Sequence, residues 1–275
     1  MDELRRLQLT ELEILNVIDS ICRKNDIEYS LYAGTLLGAV RHKGFIPWDD
    51  DLDICMSREN YNRFIQAWNN DPVDGYLLQN KDNSPRFTQS FSKIRKDGTT
   101  FFQDGEIPYD YHMGIFVDIF PIDRIPNGKF KRNLFVWRCM KYQLYTREYA
   151  PTQNGTIIKM ISKLILLPTS TQSRKRKREK LLKKITENDK NKNLSAVGIE
   201  LFSTIKSPLP ADLLDAYIGM EFEGCKFKCV KKWDEYLTVK YGKYMDLPPK
   251  EDRVWKHLPL IIDFEHNFED LNIDK

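Results

Sequence analysis

Apolar residues recur over the first two dozen positions at Leu4, Leu7, Leu12, Leu15, Ile18 and Cys22, mostly three to five apart. This spacing predicts an amphipathic helix over about residues 4–23. Residues 29–33 read as a short strand, and a Gly34-Thr35 turn leads into a second helix holding Leu36, Leu37 and Val40. A loop over residues 44–47 then delivers an acidic strand. Ser57 fits the N-cap of a helix reaching about Asn69, with Tyr61, Phe64, Ile65 and Trp68 on its inner side. From Tyr76 to Phe120 the pattern changes to strands, expected over 87–94, 99–102 and 114–120, with turn signals at Lys96-Asp97-Gly98 and Gln103-Asp104-Gly105. Residues 128–205 read as helical and basic, without a clear strand. A short strand over 226–230, a helix over 233–241 closed by Gly242, and a Pro248-Pro249 break complete the chain.

The 275 residues suffice for a substantial core, and 41% apolar with 12% aromatic content excludes global disorder. A net charge of +3 says little by itself about partners. Five scattered cysteines and the lack of a signal peptide are expected of a reducing compartment. Cys225 and Cys229 have no second pair or histidine cluster to complete a zinc site, so they are read as packing residues.

The chemistry gathers at Pro47-Trp48-Asp49-Asp50-Asp51-Leu52-Asp53-Ile54. Four carboxylates within five positions repel one another, and a hard divalent cation relieves that repulsion. If Leu52 and Ile54 are the buried residues of a strand, alternation puts Asp49, Asp51 and Asp53 on one face, with Asp50 pointing away. Asp118, set among Ile115, Phe116, Val117, Ile119 and Phe120, is costly to bury ionised without a partner. Its plain reading is a hydrogen-bonded core aspartate. Beside Asp51 and Asp53 it becomes a third metal ligand or a general base.

A glycine and a hydroxyl residue, then Asp-x-Asp, then a lone aspartate on a later strand resemble the nucleotidyltransferase superfamily. Thr35 stands where serine is commoner there. The match narrows over residues 31–53, which resemble the LicD family of phosphocholine transferases, related to fukutin and fukutin-related protein. It continues at residues 116–123 and recurs at Tyr236-Leu237, Tyr241-Gly242, Tyr244-Met245, Leu247-Pro248-Pro249, Arg253 and His257.

The resemblance implies an α/β fold, a nucleotidyltransferase-like small mixed sheet with packed helices and a helical basic insertion. Its implied divisions are a catalytic core over 1–126, a helical basic region over 127–205 and a C-terminal part over 206–275 that completes the catalytic domain. It also implies transfer of a phosphorylated alcohol, phosphocholine from CDP-choline in the simplest case, to a glycan hydroxyl with release of CMP. The glycan is free or lipid-linked, and glycerol or ribitol phosphate would fit the same CDP-alcohol site. Asp51 and Asp53 would bind Mg²⁺ or Mn²⁺ with Asp49 in support, and Asp118 would complete the metal site or take the hydroxyl proton. Gly34 and Thr35 would approach phosphate. Arg41 and Lys43 belong to the matched segment, and they, His42, Lys93 and Arg95 are candidates for the diphosphate, weighed against ordinary surface charge. Lys93 and Arg95 share one strand face by parity.

Trp48 either meets choline by cation–π attraction or braces the acidic loop, and bracing is the preferred reading. Tyr109, Tyr111 and His112 are weaker candidates for a cation pocket. Two alternatives remain: a nucleotidyltransferase that moves NMP from an NTP to a small molecule, and an inactive glycan- or membrane-binding protein of the same fold.

Residues 173–184 carry eight cations and one anion, directly after an apolar helix containing Ile157, Ile158, Met160, Ile161, Leu164, Ile165, Leu166 and Leu167. The preferred reading is a core helix followed by a solvated charged one. The competing reading is an anchor on anionic lipid. Few aromatics interleave with the charges, so nucleic acid is not expected as a partner. The expected location is cytoplasmic, with the anchor reading placing the protein at the inner face of the membrane.

Overall fold

The opening helix, α1 (Glu3–Lys24), buries Leu4, Leu7, Ile14, Leu15, Ile18, Ile21 and Cys22, and carries Gln8 and Glu11 on the same buried stripe. Each large apolar side chain removed from water contributes about 1.5–3 kcal/mol. Next come β1 (Ser30–Leu31) and α2 (Ala33–His42). Gly34 and Thr35 lie in the first turn of α2 instead of preceding it. The acidic segment forms a strand only from its last aspartate, β2 (Asp53–Ser57), so Asp49 to Leu52 lie in the approach to it. Ser57 caps α3 (Arg58–Asn70), accepting from the Asn60 amide at 3.3 Å, and Tyr61, Phe64 and Trp68 are buried.

The strands that follow are β3 (Tyr76–Gln79), β4 (Ser92–Lys96), β5 (Thr100–Phe102) and β6 (Phe116–Arg124). The strand expected over 87–94 begins only at Ser92. Phe87 and Phe91 are buried outside any strand, with ring centroids 6.4 Å apart. Helices α4 (Lys129–Arg147), α5 (Thr156–Leu166) and α6 (Thr171–Ile185) match the helical reading of the middle. A strand missed there, β7 (Ala196–Gly198), is too short to give a periodic signal. The chain closes with β8 (Tyr217–Phe222), β9 (Cys225–Val230), α7 (Trp233–Tyr241) and β10 (Ile261–Asp263). Glu223 and Gly224 turn the β8–β9 hairpin with φ of +52° and +74°, the left-handed pair a two-residue turn requires.

This computed structural model describes residues 2–103, 112–149, 156–191, 193–198 and 208–271. Tyr109, Tyr111 and most of the Gln103-Asp104-Gly105 turn lie outside them. The chain forms two compact units. The first comprises Met1–Gln79, Ser92–Pro121 and Leu213–Lys275, and its main sheet runs β1-β2-β6-β4-β3. The β1–β2, β3–β4 and β4–β6 pairs are antiparallel. The β8–β9 hairpin and a β5–β10 pair complete it.

The second unit comprises Asn80–Phe91 and Ile122–Asp212. In it the end of β6 pairs with β7, and Phe135, Cys139 and Tyr142 of α4 pack with Ile125, Ile185 and Val197. Lys81 pairs with Glu148 at 2.9 Å and Asp82 with Arg178 at 2.7 Å, which holds the 80–91 segment within this unit. The α/β expectation holds. Among the described residues no helix is long and apolar enough to cross a membrane. The five cysteines are free; Cys229 is buried as expected and Cys225 is exposed.

The hairpin turn is tied to α1 by charge. Glu223 receives both Arg5 guanidinium nitrogens, at 3.1 and 2.5 Å, and the Phe45 amide at 3.0 Å. The hydrogen bond from Arg5 holds the Glu223 carboxyl below its ordinary value, against desolvation. Its folded pKa therefore lies below the unfolded one. The stabilisation is fully present above about pH 5 and disappears as pH falls through the folded value. Glu223→Gln is expected to lower stability at pH 7 by about 1 kcal/mol or less, with the gap closing near pH 3. Urea unfolding at the two pH values measures this; an equal gap at both would contradict it.

Candidate active site

Helix α2 starts abruptly. Ala33 adopts φ of +47°, an uncommon conformation for a residue with a Cβ, and its N–H donates to the Tyr236 hydroxyl at 3.2 Å. That start clamps β2 on both sides. The Tyr32 amide donates to the Asp53 carbonyl at 2.9 Å, and the Asp53 amide donates to Thr35 Oγ1 at 2.8 Å. The Thr35 hydroxyl, buried, thus holds the backbone of the acidic segment. Gly34 leaves room for the Asp49 carboxylate in its present position: a Cβ there would sit 2.6 Å from Asp49 Oδ2.

The acidic approach is braced from α1. Gln8 donates to the carbonyls of Ile46 and Asp49 at 3.3 and 2.9 Å. Glu11, 2% exposed, leaves Oε2 without a hydrogen-bond partner among the described residues. Burial, then the charges of Asp51 and Asp49, raises the Glu11 carboxyl well above its ordinary value.

Asp50 is also buried. It accepts from the His257 amide at 2.7 Å and the Lys256 amide at 3.3 Å, and His257 Nδ1 lies 3.3 Å from it and 3.5 Å from Asp51. Asp50 therefore does not simply point away: one oxygen each from Asp50 and Asp51 and a nitrogen of His257 lie within 4.8 Å of one another. Burial pushes Asp50 up, yet the bonds from His257 outweigh it and hold the pKa below its usual value. Asp50 is a latch for the C-terminal segment.

Among the described residues the side chains of Asp49 and Asp53 have no such donors. Burial followed by Asp51 raises Asp49, and burial raises Asp51 despite His257. Asp53 is raised well above the usual range by burial and then by Asp51 and Asp118. Asp118 sits directly across from Lys93 in the β4–β6 register, with Lys93 Nζ 2.7 Å from Oδ1. Lys93 also lies 3.3 Å from the Phe116 ring centroid. A further cation, Lys240 of α7, stands 4.7, 5.8 and 5.4 Å from the ring centroids of Tyr32, Tyr236 and Tyr241. Burial lowers its pKa, against the pull of Asp53.

A cavity of about 380 Å³ opens beside these groups, lined among others by Gly34, Arg41, Trp48, Asp49, Tyr241 and Lys256. Arg41 faces it while donating to the Tyr244 and Asp246 carbonyls at 3.0 and 3.2 Å. Trp48 has the Arg253 guanidinium 5.3 Å from its ring centroid and meets His42 edge-on at 6.1 Å.

The remaining sequence candidates fall elsewhere. Lys43 is exposed and ends α2 with φ of +61°. Arg95 shares the strand face of Lys93 as parity requires, but it is fully buried and donates to Gln79 and Gly114, both at 2.7 Å. His112 pairs with Asp97 at 2.8 Å. Sequence reasoning missed Gln8, Glu11 and Lys240. The first two had a signal, being polar residues in phase with the buried stripe of α1.

Carboxylates on β2, on β6 and in the approach to β2 stand next to the start of α2 and a cavity, the arrangement of a nucleotidyltransferase-type domain. The model of the family described as LicD/FKTN/FKRP, nucleotidyltransferase domain, matches residues 26–160. The chain is 33% identical over 269 residues to the lipopolysaccharide cholinephosphotransferase LicD of Haemophilus influenzae, covering 93% of this chain and 96% of that protein. It is also 40% identical over 70 residues to an uncharacterized protein of Rickettsia typhi, 23% of each chain. A third similarity is to an uncharacterized protein of Rickettsia prowazekii, 46% over 52 residues, 19% of this chain and 20% of that one. The chain belongs to the LicD family and is a phosphotransferase.

Proposed function

We propose that the protein transfers phosphocholine from CDP-choline to a hydroxyl of a cell-surface glycan or its lipid-linked precursor, releasing CMP. The observation that carries this reading is the cavity bordered by Asp49, in a chain similar along most of its length to a lipopolysaccharide cholinephosphotransferase. A nucleotide-activated donor and free cysteines fit a cytoplasmic reaction.

The donor set fits a divalent cation. Asp49, Asp51 and Asp53 are hard oxygen donors whose charges oppose one another, and the buried Glu11 beside them has an oxygen unpaired among the described residues. Mg²⁺ or Mn²⁺, when bound, supplies neutralisation of the diphosphate and of the charge that develops on the leaving phosphate. These three aspartates are assigned to hold it. Asp118 already has a cation in Lys93, so it is assigned to the acceptor, where its carboxylate orients the attacking hydroxyl and takes its proton. Arg41 and Lys256 face the cavity and are assigned to donor phosphates. Trp48 is read as a brace, consistent with its contacts to Arg253 and His42. Arg95 is read as a support for β4. The first unit is the catalytic one in this reading.

The test offers CDP-choline, CDP-glycerol, CDP-ribitol and NTPs with Mg²⁺ or Mn²⁺ and a lipopolysaccharide acceptor, measuring CMP and pyrophosphate separately. Metal-dependent CMP release with CDP-choline is the expected result. Pyrophosphate from an NTP, with no CMP from any CDP-alcohol, overturns the reading in favour of NMP transfer.

A further inference from the structure

The helical unit carries an outer surface that is apolar where water would be expected. In α5 and just beyond it, Met160, Ile161, Leu164 and Leu167 are 59%, 50%, 66% and 81% exposed, whereas Ser162 is buried. Leu166 and Ser162 face inward, so the helix does pack, but a second apolar stripe stands outside beside the exposed Lys163, which a plain core helix would not leave. Helix α4 has a similar second face. Phe135, Cys139 and Tyr142 form its core side, and Phe130 and Trp137, seven positions apart on the opposite side, are 81% and 52% exposed.

The basic helix borders this surface. Of the eight cations in residues 173–184, Arg174 and Arg178 turn inward to pair with Glu148 and Asp82. Lys175, Arg176, Lys177, Lys180, Lys183 and Lys184 are exposed. The ring of Tyr145 in α4 has Lys141 of the same helix at 6.0 Å and Lys177 of α6 at 5.5 Å, and Lys141 also lies 4.4 Å from the Trp137 ring. The basic edge of α6 therefore adjoins the Trp137 face of α4. Arg174 joins α6 to the end of α5 through the Leu166 carbonyl at 3.3 Å and Thr169 Oγ1 at 3.1 Å.

We propose that this face is a docking surface for an anionic lipid bilayer. Exposed apolar side chains beside a row of amines match an acyl boundary beneath anionic headgroups, with Trp137 suited to the interface itself. A second copy of the chain using the same face would oppose like charge to like charge, since Glu179 is the one acidic side chain within the 173–184 segment. The inference goes beyond the transferase reading and does not depend on it, because adsorption to lipid needs no catalysis.

Flotation of the full chain with vesicles tests it, using phosphatidylcholine alone and phosphatidylcholine mixed with phosphatidylglycerol. The chain is expected to float with the anionic vesicles and not the neutral ones, with binding that weakens as salt rises. The Leu164→Glu/Leu167→Glu and Lys175→Glu/Lys180→Glu pairs are each expected to reduce partitioning at least about tenfold. All four positions are exposed, so both variants should keep the parent melting temperature and the parent rate on a water-soluble acceptor. Failure of the parent to float with anionic vesicles overturns the proposal, as does flotation unaffected by both variants. A dimer in light scattering that Leu164→Glu dissociates overturns it too, by assigning the face to a second copy.

Discussion

Asp53→Asn is expected to reduce transfer by about 10²–10³-fold or more and to leave the protein folded. The backbone of Asp53 is held independently of its carboxylate, by the Tyr32 amide and the Thr35 hydroxyl. The amide of asparagine keeps the shape and removes one of the mutually repelling charges. The metal-free variant should therefore melt no lower than the parent. The parent should gain stability from saturating Mg²⁺ or Mn²⁺, by about 2.7 kcal/mol at a hundredfold excess over Kd, and the variant should lose most of that gain. Asp118→Asn separates the roles: transfer should fall comparably while the metal-induced rise in melting temperature persists. Full metal-dependent activity in folded Asp53→Asn would sink the assignment. An Asp118→Asn protein that no longer responds to metal would move Asp118 into the cation site.

The second large effect comes from two glycines four residues apart on α2. At Gly38 an added Cβ would meet the Gly44 carbonyl oxygen at 2.5 Å and the Ile46 amide nitrogen at 3.2 Å. Both are backbone atoms of the loop leading to the aspartates, so helix or loop must move. Gly38→Ala is expected to cost about 1–3 kcal/mol, despite alanine's better helix propensity. At Gly34 the clash is with the far end of the Asp49 side chain, which can rotate away cheaply. Gly34→Ala should cost less than about 1 kcal/mol of stability while weakening metal binding about ten- to a hundredfold. Chemical denaturation and metal titration of the two variants make the comparison. Equal stability losses, or unchanged metal affinity in Gly34→Ala, would contradict this account.

The legible part of the site was its local chemistry. Four carboxylates in five positions announce a charge problem, and the alternation of Asp51, Leu52, Asp53 and Ile54 survives in the structure with Leu52 and Ile54 buried. The parity of Lys93 and Arg95 was also readable, though not their different fates. Lys93 faces Asp118 because the β4–β6 register sets them opposite each other. Arg95 is enclosed between Gln79 and Gly114, partners 16 and 19 residues away. Nothing within five residues of Asp50 indicates that amides more than 200 positions later will claim its oxygens.

The amino-acid sequence by itself determined the helices, through periodicities of three to five residues, and the identity of the acidic elements. The LicD resemblance was likewise written in contiguous residues. Tertiary structure alone decided which carboxylates lack hydrogen-bond donors, which cations stand beside them, and which apolar stripe of the middle helices is left uncovered. The physical reason is range. Helical periodicity and charge crowding act between neighbours in the chain. Desolvation, strand register and the pairing of buried charge depend on groups that meet only once the chain has folded.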